Sequence, residues 1–181
     1  MPNKALLKLS FIALFAALIA AGTFIVIPIG PVPIVLQNLF ALLSGLILGP
    51  FMGAASAALY LFAGLAGAPV FAGFTGGVAR FAGPTGGFLA GYFLMPLTAG
   101  LIAGKHQNKL SKARLTAAVI SGLLAVYVPG IAWLKFSTGF GWTKTLIAGF
   151  LPFIPGDIVK GIAAVLITPR LRKTAAEHLY G

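Results

Sequence analysis

Two carboxylates occur in the sequence. Glu177 stands in a basic tail, whereas Asp157 stands among apolar residues. A carboxylate in a lipid-like setting is costly and usually marks a functional site. Pro155-Gly156-Asp157 reads as a helix start, with proline in the first turn and an acid near the positive end of the helix dipole. Lys160 follows three residues on, so the two side chains share one helix face. Two readings are open. The pair could neutralise itself and only cap the helix. Alternatively, Asp157 accepts hydrogen bonds from ligand N–H groups while Lys160 adds a donor. The cost of an intramembrane charge favours the second, with Phe150, Pro152 and Phe153 as an apolar wall.

Arg80 is the only charge between Lys8 and Lys105. It fits either a snorkelling arginine or a partner for an anionic ligand group. Small residues recur at four-residue spacing: Gly45/Gly49/Gly53, Gly83/Gly87/Gly91, Gly100/Gly104, and Ala13/Ala17/Ala21 in the first apolar run. In apolar helices such ridges are packing faces. The alanine ridge can pack internally or against another membrane protein.

Enzyme signatures are missing. Gly100 to Lys105 is one residue short of a phosphate-binding loop and lacks the following Ser/Thr. His106 and His178 stand in basic tracts without partner acids, so no metal site is expected, and the chain has no cysteine. No pair of carboxylates exists for acid–base work. No catalytic residue is predicted, nor hydrolysis of ATP by this chain.

These residues need a scaffold, and composition says which kind. The 181 residues are 59% hydrophobic and 8% charged, with mean hydropathy +1.03. A soluble domain carries about 25% charged residues, so lipid must be the solvent. The formal net charge of +11 sits mostly in short tracts flanking apolar runs. That is a topology signal rather than a nucleic-acid footprint.

Apolar runs and breakers predict one all-α membrane domain over residues 1–181. Its six helices are expected at about 6–27, 34–48, 51–65, 86–104, 115–134 and 155–168. The first run is longer than a signal-peptide core and reads as a retained helix ending at Pro28. Gly49-Pro50 makes a tight turn. Irregular backbone is expected at 28–33, 66–85 and 135–154, the last with a short interfacial helix near Trp142.

Six spans place both termini on one side. Lys4, Lys8, Lys105, Lys109, Lys112, Arg114, Arg170, Arg172 and Lys173 fall there, against Arg80, Lys135, Lys144 and Lys160 on the other. The positive-inside rule makes the first side cytoplasmic. The pattern argues for an even number of spans. It argues less for six over four, since the second and third helices can form a re-entrant pair. Irregular backbone at membrane depth survives only against protein or a cavity, so a pocket opening outward under the glycine-rich loops is expected.

Four motifs, in order, resemble one family. They are Gly30-Pro31-Val32-Pro33-Ile34 with Gln37; Gly67-Ala68-Pro69-Val70-Phe71-Ala72-Gly73; Gly83-Pro84-Thr85-Gly86-Gly87-Phe88; and Pro152-Phe153-Ile154-Pro155-Gly156-Asp157 with Lys160. The set is similar to the BioY family, the biotin-specific substrate-binding (S) components of energy-coupling factor (ECF) transporters. The resemblance implies a multi-pass protein of the cell membrane with an outward-facing biotin pocket. It also implies a transmembrane coupling subunit, contacted by Ala13, Ala17 and Ala21, and two ATPase subunits. Biotin is then cargo, and no cofactor is implied.

The residue chemistry suits that ligand. Asp157 matches the ureido N–H groups. Lys160 serves the ureido carbonyl or orients Asp157, and Arg80 faces the carboxylate. Gln37, Thr75 and backbone amides around Gly73 complete the site, with Phe71 and Tyr92 against the rings. One departure stands out. Relatives are expected to carry an asparagine in the 66–85 region for the ureido group. This chain has none there, and Phe74 and Thr75 take its place. The alternatives are an S component for another vitamin, a membrane enzyme, or a structural subunit outside transport.

Overall fold

The protein is described from a computed structural model that covers residues 4–27, 34–104 and 110–180. The first motif's Gly30 to Pro33, the helix end at Pro28, and Lys105, His106 and Lys109 lie outside the described residues. The described chain is a helical bundle of α1 (Lys4–Gly22), α2 (Gln37–Leu48), α3 (Pro50–Leu65), α4 (Val78–Ala82), α5 (Gly86–Ala103), α6 (Lys112–Thr138), α7 (Trp142–Gly149) and α8 (Ile154–Tyr180). A two-stranded hairpin of β1 (Val26–Ile27) and β2 (Ile34–Val35) follows α1.

Four stretches are long and apolar enough to cross a membrane: Lys4–Gly22, Gly86–Ala103, Lys112–Thr138 and Trp142–Leu179. Helices α2 and α3 are apolar but shorter, at 12 and 16 residues. Large apolar side chains face outward along the long helices, among them Leu14, Leu101, Leu124, Ile162 and Leu166. That outward face is what a lipid solvent selects.

Close approach is set by glycine. Helices α5 and α6 form the most extensive pair. A Cβ on Gly91 would sit 2.7 Å from the Val126 Cα, so only glycine allows that spacing. Gly49, at φ +90°, turns the chain between α2 and α3. Proline then starts α3, where no N–H is needed.

Several boundaries differ from the sequence reading. The second helix begins at Gln37 rather than Ile34, because Ile34 and Val35 pair in β2. Helix α1 ends at Gly22, not near Ile27. The run Thr23-Phe24-Ile25-Val26-Ile27 is rich in β-branched residues and enters the hairpin, with Val26 opposite Val35 and Ile27 opposite Ile34. Helix α6 runs on to Thr138, where Gly139 caps it at φ +68°. Helix α8 runs through Pro169 to Tyr180 rather than stopping at Thr168. Thr168, Arg172, Ala175 and Leu179 are buried, and their spacing of four, three and four residues makes one helical face. Arg172, read from sequence as one of the topology cations, is 5% exposed. Its guanidinium donates to the carbonyls of Leu46 (2.7 Å) and Gly104, joining α8 to the ends of α2 and α5.

Candidate ligand site

The hairpin, the 66–77 loop, α7 and the start of α8 gather at the end of the bundle opposite Arg172. Asp157 lies in the first turn of α8 and is 5% exposed. Its Oδ1 accepts from Asn38 Nδ2 at 2.6 Å and from Lys160 Nζ at 3.2 Å, and its Oδ2 accepts from the Tyr127 hydroxyl. Lys160–Asp157 is the salt bridge found among the described residues. Lys160 also donates to Asn38 Oδ1 and to the Val35 carbonyl, both at 2.8 Å.

Counting donors and acceptors defines what remains for a ligand. The three N–H groups of Lys160 are all taken, so it orients Asp157 and Asn38 and fastens α8 to the start of α2. Asn38 has spent its oxygen on the ammonium and one N–H on the carboxylate, leaving one N–H. A carboxylate offers about four lone-pair positions. Three are used, which leaves one on Oδ2. The buried charge is therefore paired and hydrogen-bonded, the condition for tolerating it.

This network lines a chamber with Val35, Phe88, Tyr92, Met95, Leu123, Val126 and Phe153. A second chamber adjoins it, lined by Gln37, Phe71, Ala72, Arg80, Thr85 and Leu89. Val35, Phe88 and Tyr92 wall both. Each holds about 40 Å³ of free space. Gln37, the first residue of α2, is buried, and its Nε2 has no hydrogen-bond partner among the described residues. An unpaired buried donor costs about 1–3 kcal/mol, so a ligand acceptor here would relieve it. Arg80 is half-buried and donates to the Ala72 carbonyl at 3.1 Å, which spends only part of its donor fork.

The aromatic wall is positioned by packing. Phe71 sits edge-on to Tyr60 (5.6 Å) and Phe81 (5.9 Å). A Cβ on Gly64 would overlap its ring. Phe150 packs edge-on against Tyr127 at 5.0 Å, and Phe153 enters the Asp157 chamber, while Pro152 lines neither chamber. Above the chambers, Phe24 stacks on Phe74 at 4.7 Å, and the Thr23 hydroxyl donates to the Val70 carbonyl at 2.8 Å. These contacts latch the end of α1 to the 66–77 loop.

Of the residues singled out from sequence, Asp157, Lys160 and Tyr92 meet around one chamber, and Gln37, Phe71, Arg80 and Tyr92 around the other. Gly73 and Thr75 line neither. Phe71 and Thr75 pair as an isolated bridge, the Thr75 hydroxyl donates to Ala72, and Gly73 occupies the exposed turn between them at φ +76°. Ala13, Ala17 and Ala21 are all exposed, on one face of α1 or directly in line with it. Sequence reading missed Asn38 and Tyr127. Asn38 places an amide beside Asp157 and Lys160, whereas the 66–85 segment carries none. The signal for it was the polar pair Gln37-Asn38 in the apolar run from Ile34 to Leu48.

The bundle, its apolar candidate spans and the buried polar cluster beside two small chambers define a helical membrane-type protein. The family model of the BioY family matches residues 1–177. A protein of Pyrococcus horikoshii named as a probable biotin transporter is 44% identical over 165 residues, covering 91% of this chain and 96% of that protein. A biotin transporter of Thermotoga maritima is 41% identical, covering 91% and 95%. The crystal structure of the S-component for biotin from an ECF-type ABC transporter superposes with a TM-score of 0.87 at 35% identity, covering 96% of this chain and 94% of that one. The chain belongs to the BioY family. It is a family of transporters, not enzymes.

Proposed function

We propose that this chain is the biotin-binding S component of an ECF-type vitamin uptake transporter. The observation that carries this reading is the pair of groups left over at the buried network: one acceptor position on Asp157 Oδ2 and one N–H on Asn38, side by side in an aromatic chamber. A cyclic urea presents the complement, an N–H beside a carbonyl. The N–H to carboxylate bond is charge-assisted and hence strong. The apolar thiophane then lies against Phe88 and Tyr92. The valerate chain passes into the second chamber, where Gln37 and Arg80 meet its carboxylate. Because Val35, Phe88 and Tyr92 separate the two chambers, these side chains must part for the ligand to span both.

The basic end of the bundle faces the cytoplasm in this reading, with six crossings, both termini inside and the chambers opening outward. Helices α2 and α3, though short, complete the six. The exposed Ala13, Ala17 and Ala21 offer a smooth face to the transmembrane coupling subunit. Two ATPase subunits supply the energy, and the protein resides in the cell membrane.

Titrating the purified protein with biotin, thiamin and riboflavin by calorimetry tests the proposal. Sub-micromolar binding of biotin alone is expected. Tight binding of thiamin or riboflavin instead would make this an S component for another vitamin. No binding in a folded sample would point to a structural subunit.

A further inference from the structure

A second open space lies apart from the two chambers. It is a groove of about 470 Å³ on the outer surface between α6 and α8. Val119, Ile120, Leu123 and Leu124 form one bank, and Ile158, Ile162, Val165 and Leu166 the other. Ile120, Leu124, Ile158, Ile162 and Leu166 are each more than half exposed, so the groove opens sideways. Its polar side chains are few. Thr116 stands at one end, and Tyr127 and Asp157, bonded to each other, close the other. That bonded pair is a partition, with the ligand chamber on its far side.

We propose that this groove holds an acyl chain of an anionic phospholipid whose headgroup lies at the basic end of the bundle. Length is the first argument. From Thr116 to Tyr127 α6 rises about 16 Å, and from Ile154 to Leu166 α8 rises about 18 Å. One leaflet of hydrocarbon is about 15 Å deep, so a single chain runs the length of the groove. Charge is the second. One turn beyond Thr116 on the same face of α6 is Lys112. One turn beyond Leu166 on α8 is Arg170, with Lys173 following Pro169. All three cations are exposed, and Glu177 is the one carboxylate nearby in the chain. An apolar groove between helices that ends in a cluster of cations is the pattern that binds anionic headgroups. The bound chain would back the Tyr127–Asp157 partition, so lipid occupancy and the geometry of the ligand chamber are linked.

Native mass spectrometry of the detergent-purified protein tests this, with added phosphatidylglycerol and phosphatidylcholine of identical acyl chains. Wild type should bind phosphatidylglycerol at least about tenfold more tightly. The double variant Lys112→Gln/Arg170→Gln should lose phosphatidylglycerol affinity by about fivefold per cation removed and keep its phosphatidylcholine affinity. Filling the groove with Ile120→Trp/Ile162→Trp should weaken both lipids. Equal binding of the two lipids by wild type, no lipid adduct at all, or a phosphatidylglycerol preference that survives in the charge variant would overturn the proposal. The charge variant alters only exposed side chains, so it decides the matter even if the tryptophan variant does not fold.

Discussion

Asn38 and Asp157, 119 positions apart in sequence, are joined by a 2.6 Å hydrogen bond, and Lys160 bonds to both. The amide faces carboxylate with its nitrogen and ammonium with its oxygen. An amide carries its donor and its acceptor on two separate atoms, so it can face both charges at once. Asn38→Leu should therefore lower biotin affinity by roughly tenfold or more, as two hydrogen bonds to charged groups are lost. Asn38→Asp should not rescue it, because the new carboxylate would face Asp157. Calorimetric titration of the two variants checks this. An Asn38→Asp protein that binds like wild type would refute the assigned orientation.

Arg80 separates two explanations by the ligand used. If it meets the biotin carboxylate, Arg80→Gln should weaken biotin by about fivefold to tenfold and leave biotin methyl ester unaffected. If its bond to the Ala72 carbonyl matters only for holding the loop, both ligands should weaken alike. Parallel titrations with acid and ester decide.

Arg172 fastens the far end of the bundle through the carbonyls of Leu46 and Gly104. Arg172→Met leaves those carbonyls short of a charged donor, a loss of about 2 kcal/mol. The apparent melting temperature in detergent should fall by about 5 °C. Biotin affinity should stay within twofold, because the chambers are at the other end. A melting curve and a titration on the same sample are enough.

The sequence made some of this legible. Gly49-Pro50 marked the turn between α2 and α3, and the lone acid after Pro155-Gly156 marked the start of α8. Other features were hidden for physical reasons. The cations Arg170, Arg172 and Lys173 read as one topology signal, yet Arg172 points inward because its helix face continues through Ala175 and Leu179. Proline at 169 reads as a stop, but α8 passes through it, as packed membrane helices permit. Tyr127 lies in a long apolar run where one hydroxyl carries little weight. Its role depends on a partner 30 residues away that only the antiparallel crossing of α6 and α8 supplies. Thr75 and Gly73, expected to complete the ligand site, spend the Thr75 hydroxyl on Ala72 and the Gly73 backbone on the turn of the loop itself.

In the proposed function, Asp157 holds the ligand through its free acceptor position. Calorimetric titration of Asp157→Asn with biotin, beside Lys144→Ala as a control on the same side of the bundle, tests it most directly. Asn cannot accept a second N–H where the carboxylate does, so affinity should fall by at least about tenfold. The Lys144→Ala protein should bind as wild type does, since its ammonium packs over the Phe140 ring at 4.0 Å, away from both chambers. Equal affinities for the two variants, with both proteins folded, would contradict the account.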